Sequence, residues 1–107
     1  MTGDREPGDG DEGDARKPAK GLRPRLTRKA RLKFDPIEKQ FLLLYPERGM
    51  KLSDSAAEIL QRCDGERTIE RIALELAQAS GAPLETLRQD VIAFVAELRS
   101  RGLVEFV

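Results

Sequence analysis

The chain has no histidine, no tryptophan and a single cysteine among its 107 residues. Without histidine there is no imidazole metal ligand and no acid–base group that titrates near neutral pH. One cysteine excludes an internal disulfide framework and fits a reducing cytoplasm. No apolar run approaches the length that spans a bilayer, and the N-terminus lacks the apolar core of a signal peptide. No glycine-rich phosphate loop precedes a helix. The carboxylates are scattered among arginines; Glu58 with Arg62 and Glu97 with Arg101 have the i,i+4 spacing of solvated surface pairs. Catalysis needs a nucleophile with a base, paired carboxylates in a cleft or a bound metal. None of these is visible, so the chain reads as a binding module with no cofactor, not as an enzyme.

Formal charge sums to zero, but its distribution is uneven. Residues Met1 to Gly21 are net acidic, with almost nothing apolar to offset ordering entropy, which predicts a disordered tail or linker over residues 1–23. Residues Leu22 to Phe34 carry Arg23, Arg25, Arg28, Lys29, Arg31 and Lys33 with no acid. That stretch reads either as an arm for nucleic acid or anionic lipid, or as a solvated lead-in to a strand. A single folded domain is then expected over residues 24–107.

Ala30, Leu32 and Phe34 alternate with Arg31, Lys33 and Asp35, the pattern of a half-buried strand. Asp35-Pro36 opens a turn. Phe41 to Tyr45 is apolar on both faces, as a covered strand is. Pro46 ends it, and Gly49 is expected to supply the freedom for re-entry. Arg48 to Leu52 forms a third strand, with Met50 and Leu52 alternating with Lys51. Connections this short allow only hairpins, so the three strands form an antiparallel meander whose outer two are edges.

Three helices follow. Ser53 caps the first, with Ala56, Ile59, Leu60 and Cys63 on one face and Gly65 at its left-handed end. Thr68 caps the second, and Gly81 closes it. Pro83 opens the third, which runs to about Arg101 with Leu84, Leu87, Val91, Val95 and Leu98 as its inner stripe. Phe94 and Ile92 flank that stripe, widening the apolar arc to about 160° at 100° per residue. Either the helix is deeply seated or one shoulder lines a groove. Leu103 to Val107 is a short apolar tail expected to pack back on the domain. The fold class is α+β, a three-stranded antiparallel sheet followed by a three-helix bundle.

From about Pro24 onward the chain resembles the PQQ biosynthesis protein D family, which serves the synthesis of pyrroloquinoline quinone. The resemblance is carried by Leu43-Leu44-Tyr45-Pro46-Glu47, by Leu52-Ser53-Asp54-Ser55-Ala56, by Ile59 through Gly65 and by Asp90-Val91-Ile92. The family commonly has Asn where this chain has Ser53, and both residues cap helices. Some members are fused to another pathway enzyme, so the tail could be a linker remnant. The resemblance implies a winged-helix-like domain of the kind called a RiPP recognition element. It implies a non-catalytic chaperone that binds the ribosomal PQQ precursor peptide and presents it to a radical SAM enzyme.

In that setting the third strand is the edge a peptide would join by β-augmentation, since the first is guarded by Arg31 and Lys33. The expected peptide-binding residues are Arg48, Gly49, Met50, Lys51 and Leu52 on the edge, with Leu87, Arg88, Val91, Ile92 and Val95 lining a groove on the third helix. Lys51 and Arg88 would pair with acids of the peptide, and Met50→Pro would delete a ladder donor offered to it. The competing expectations are a DNA-binding winged helix and a purely structural interaction module. DNA binding would call for a basic outer face on the third helix, where Glu85, Asp90 and Glu97 instead mix with Arg88, Arg99 and Arg101.

Overall fold

Strand follows strand to the midpoint of the chain, and helices fill most of the rest. In a computed structural model that describes residues 20–107, the order is β1 (Pro24–Leu26), β2 (Arg31–Asp35), β3 (Gln40–Tyr45), β4 (Arg48–Lys51), α1 (Asp54–Gln61), α2 (Ile69–Ser80), α3 (Leu84–Ser100) and β5 (Val104–Phe106). Strands β2, β3 and β4 form the expected antiparallel meander, in that spatial order. Strand β1 pairs with β5 in a second, two-stranded sheet that the sequence reading did not contain. The C-terminal tail therefore packs back as a strand, and the basic lead-in contributes its partner.

Cross-strand register sorts the side chains of the meander. Leu32 opposes Leu43, and Leu43 opposes Met50, so this row faces the core. Phe34 opposes Phe41 on the same face, with ring centroids 5.0 Å apart in an edge arrangement. Beneath them lie Ile69, Ile72, Val91, Val95 and Leu98, fully buried with Leu43. Complete burial of a branched aliphatic side chain contributes about 1.5–3 kcal/mol, so this cluster holds the helices to the sheet.

The hairpin between β3 and β4 differs from expectation in one detail. Tyr45 pairs with Arg48, which leaves Pro46 and Glu47 as a two-residue loop. Glu47, not Gly49, adopts the left-handed conformation, with φ at 62°. Proline followed by a positive φ is the signature of a type II turn. Gly49 lies inside β4 and serves close packing instead: a Cβ there would stand 3.2 Å from Leu44 Cδ2.

The helix caps follow the sequence. Ser53 Oγ accepts from Ala56 N–H at 3.1 Å, and Thr68 Oγ1 accepts from Arg71 N–H at 3.0 Å. Gly81 closes α2 in the left-handed conformation. Gly65 is also left-handed, but it stands beyond the Arg62 cap of α1 and donates its N–H to the Pro24 carbonyl at 2.9 Å. That bond ties the α1–α2 connection to β1.

The expected tail over residues 1–23 falls mostly outside the described residues, which begin at Lys20. From there the backbone is engaged. The Leu22 and Lys20 carbonyls accept from Ile69 and Glu70 N–H, each at 2.9 Å. A helix leaves its first four N–H groups without internal partners; these two carbonyls and the Thr68 side chain satisfy the first three of α2. Arg23 likewise accepts from Val107 N–H at 2.9 Å. Residues 20–23 thus belong to the folded unit.

Candidate peptide-binding edge

Strand β4 pairs only with β3 among the described residues, so one of its sides is open. The direction of its backbone groups follows from one bond. Leu52 N–H donates to the Phe41 carbonyl at 3.0 Å, which makes that pair hydrogen-bonded. Antiparallel ladders alternate hydrogen-bonded and non-bonded pairs. Met50 with Leu43 and Arg48 with Tyr45 are then bonded inward, whereas Lys51 opposite Leu42 and Gly49 opposite Leu44 turn their N–H and C=O outward. The edge offers the backbone of Gly49 and Lys51, and Met50 N–H belongs to the sheet itself. Met50→Pro would therefore break the meander, contrary to the expectation from sequence.

The helix-side candidates separate in the same way. Val91 and Val95 are fully buried, and Leu52 is 5% exposed, so these three form floor and core with no surface for a ligand. Arg88 is half-buried, and its guanidinium grips Glu70 of α2 through two bonds, 2.8 Å and 2.9 Å long, with a further contact to Glu85. Glu70 holds the Arg88 proton firmly, raising its pKa, and Arg88 in turn lowers that of Glu70. Arg88 thus closes the α2–α3 interface and is not available to an acidic partner. Ile92 lies one turn beyond Arg88 on the same side of the helix.

The opposite shoulder of α3 is the open one. Leu87 and Asp90 line a depression together with Asp54, Ser55 and Ile59 of α1 and Leu76 of α2. Phe94, half-buried, follows Asp90 by one turn and extends that shoulder. Asp54 and Ser55 follow closely after Lys51, so the chain itself joins the depression to the end of the edge strand. Of the expected residues, Arg48, Gly49, Met50 and Lys51 remain accessible on the edge strand, and Leu87 lines the depression with Asp90 beside it. Sequence named Phe94 as one flank of the apolar arc but could not tell which flank bordered the depression.

Cys63 is buried, donates to the Ile59 carbonyl at 3.3 Å, and has its thiol pKa pushed up to about 12, first by burial and then by the Asp64 charge. It is a core residue and not a nucleophile. The described residues contain no cluster of three or more His, Cys, Asp or Glu side chains that could hold a metal ion. None of their helices is long and apolar enough to cross a membrane.

The model of the family Coenzyme PQQ synthesis protein D (PqqD) matches residues 40–104, more than half of the chain. The chain belongs to the PqqD family. A relative in Rhizobium meliloti, called PqqA binding protein, is 45% identical over 78% of this chain and 85% of its own length. The solution structure of the PqqD truncation of Methylobacterium extorquens PqqCD superimposes with a TM-score of 0.70 at 33% identity, covering 84% of this chain and 97% of that one. That truncation is described as a functional, stand-alone RiPP recognition element. Lasso peptide synthetase B1, solved with a leader peptide, shares the fold with a TM-score of 0.67 at 21% identity, over 78% of this chain and 98% of that one. The winged-helix-like α+β architecture expected from sequence is thus the architecture of PqqD-family domains.

Proposed function

We propose that this PqqD-family domain is a non-catalytic peptide chaperone of PQQ biosynthesis. It binds the ribosomal precursor peptide PqqA by β-augmentation and presents it, in the cytoplasm, to the radical SAM enzyme of the pathway. The observation that carries this reading is the open side of β4, where the backbone of Gly49 and Lys51 faces outward; the cleft that Leu87 lines opens just after it along the chain, at Asp54 and Ser55. An extended peptide would complete the ladder there, each main-chain bond contributing about 0.5–1.5 kcal/mol net. Its inward side chains would meet Met50, Leu87 and Phe94. The PqqA-binding names of the relatives support the choice of ligand.

Nuclear magnetic resonance of the labelled protein tests this. Adding PqqA should shift and protect the amides of Gly49 and Lys51 and move the Leu87 and Phe94 side-chain signals. Perturbations confined to Arg31–Asp35 would place the peptide on the other edge and sink the proposal.

A further inference from the structure

The outer face of the meander differs chemically from the rest of the surface. Lys33, Leu42 and Lys51 form one row across it, and Arg31, Leu44 and Gly49 form the next. Leu42 and Leu44 are half-buried, and Arg31, Lys33 and Lys51 are exposed. Arg28 and Lys29 border Leu44 beside the same rows. None of these five cations makes an ion pair among the described residues. Asp35 shares this face, but its Oδ1 accepts from Ile37 and Glu38 N–H in the turn.

A strand added to β4 would lie about 4.8 Å away and lengthen each row by one residue. The residue opposite Lys51 becomes a cross-strand neighbour of an ammonium group without an acidic partner among the described residues, a pairing that favours a carboxylate and disfavours another cation. The residue opposite Gly49 meets no side chain there. It reaches across to Leu44, whose Cδ2 lies 3.2 Å from where a Cβ on Gly49 would stand. That position favours an aliphatic chain. The intervening residue turns toward the core face of the sheet beside Met50, where apolar groups are wanted.

We infer that the peptide taken by this edge carries, on the side turned away from the helices, an acidic residue opposite Lys51 and an aliphatic residue opposite Gly49. This rests on the β-augmentation reading above and adds the class of sequence it selects: an acidic and apolar alternation in a fixed register. Lys51 is then a specificity-determining residue.

The test uses the full chain and synthetic PqqA. Each Asp and Glu of the peptide is changed singly to its amide, and binding to wild type and to Lys51→Met is followed by fluorescence anisotropy at low salt. One amide peptide should bind wild type about two- to fivefold more weakly. That loss should vanish in Lys51→Met, and it should shrink at 0.5 M salt through screening. Lys51→Glu should recover binding to a peptide with Lys at the same position. If no amide change weakens binding, or if the loss is equally large in Lys51→Met, the inference is overturned while β-augmentation stands. Failure of PqqA to bind wild type at all overturns the reading on which it rests.

Discussion

The helical half and the sheet half of this domain treat charge in opposite ways. On the helices nearly every arginine is matched. Glu75 meets Arg62, Arg67 and Arg71 at 3.2 Å, 3.1 Å and 2.9 Å; Glu70 holds Arg88; and Glu97 holds Arg101. On the meander Arg31, Lys33, Arg48 and Lys51 have no such partner among the described residues. The helices are closed in hydrogen bonding as well, whereas β4 leaves backbone groups facing out. A surface complete in itself gives a second molecule little to add. The difference teaches where recognition resides: the helices hold the platform and the sheet edge remains to be completed.

The largest effect should come from the shared core. Ile72→Ala removes a fully buried side chain from α2 and should destabilise the fold by about 2–5 kcal/mol in urea titrations. Leu42→Ala, half-buried on the outer sheet face, should fall below about 1 kcal/mol. Similar losses at the two sites would mean that the outer face is as structural as the helices.

Next in size is the backbone of the edge. Lys51→Pro removes an outward-facing N–H and should weaken PqqA binding by at least about tenfold, with the fold retained because proline is tolerated on strand edges. Lys51→Ala keeps the donor and separates the loss of charge from the loss of the bond. Met50→Pro should instead unfold the meander, since its N–H points to Leu43. Equal behaviour of Met50→Pro and Lys51→Pro in circular dichroism and binding would contradict the alternation assigned to β4.

Much of this was legible in sequence because it rests on local signals. The Ser53 and Thr68 caps, the left-handed Gly81 and the alternation of Arg48 to Lys51 are decided by residues a few positions apart. What escaped depends on distant partners. A three-residue strand such as Pro24–Leu26 has no pattern of its own until Val104–Phe106 lies beside it. The apolar arc of α3 showed two shoulders, and only tertiary packing decides that Arg88 is held by Glu70 of α2 while Leu87 lines a depression shared with α1 and α2. The outward groups of β4 depend on hairpin parity, fixed by a two-residue loop whose positive φ falls on Glu47, a residue that sequence gave no reason to choose.

That loop offers a smaller test. Left-handed backbone costs a non-glycine residue about 1–2 kcal/mol, and glycine gives back part of this in chain entropy. Glu47→Gly should therefore stabilise the domain by about 0.5–1 kcal/mol. The change is read as a higher urea midpoint, with the β4 amides unshifted beyond the loop.

The smallest expected effect on binding is also the sharpest test of the contrast. Arg88→Ala removes a cation that sequence alone assigned to the peptide and that the structure commits to Glu70. PqqA affinity at neutral pH should change by less than about twofold, because the guanidinium is held by Glu70 and does not line the cleft. Its signature should appear instead in the acid dependence of stability. Arg88 lowers the pKa of Glu70, so the folded state binds this proton less readily than the unfolded chain. The stabilisation is full above the ordinary glutamate value of 4.5 and is lost as pH falls through the lower folded value. In Arg88→Ala the fall in urea midpoint below pH 4.5 should be shallower, with Glu75 and its arginines supplying the remainder of the slope. A variant that lost peptide affinity but kept the wild-type acid slope would reverse the assignment of Arg88, and with it the division between a closed helical half and an open sheet.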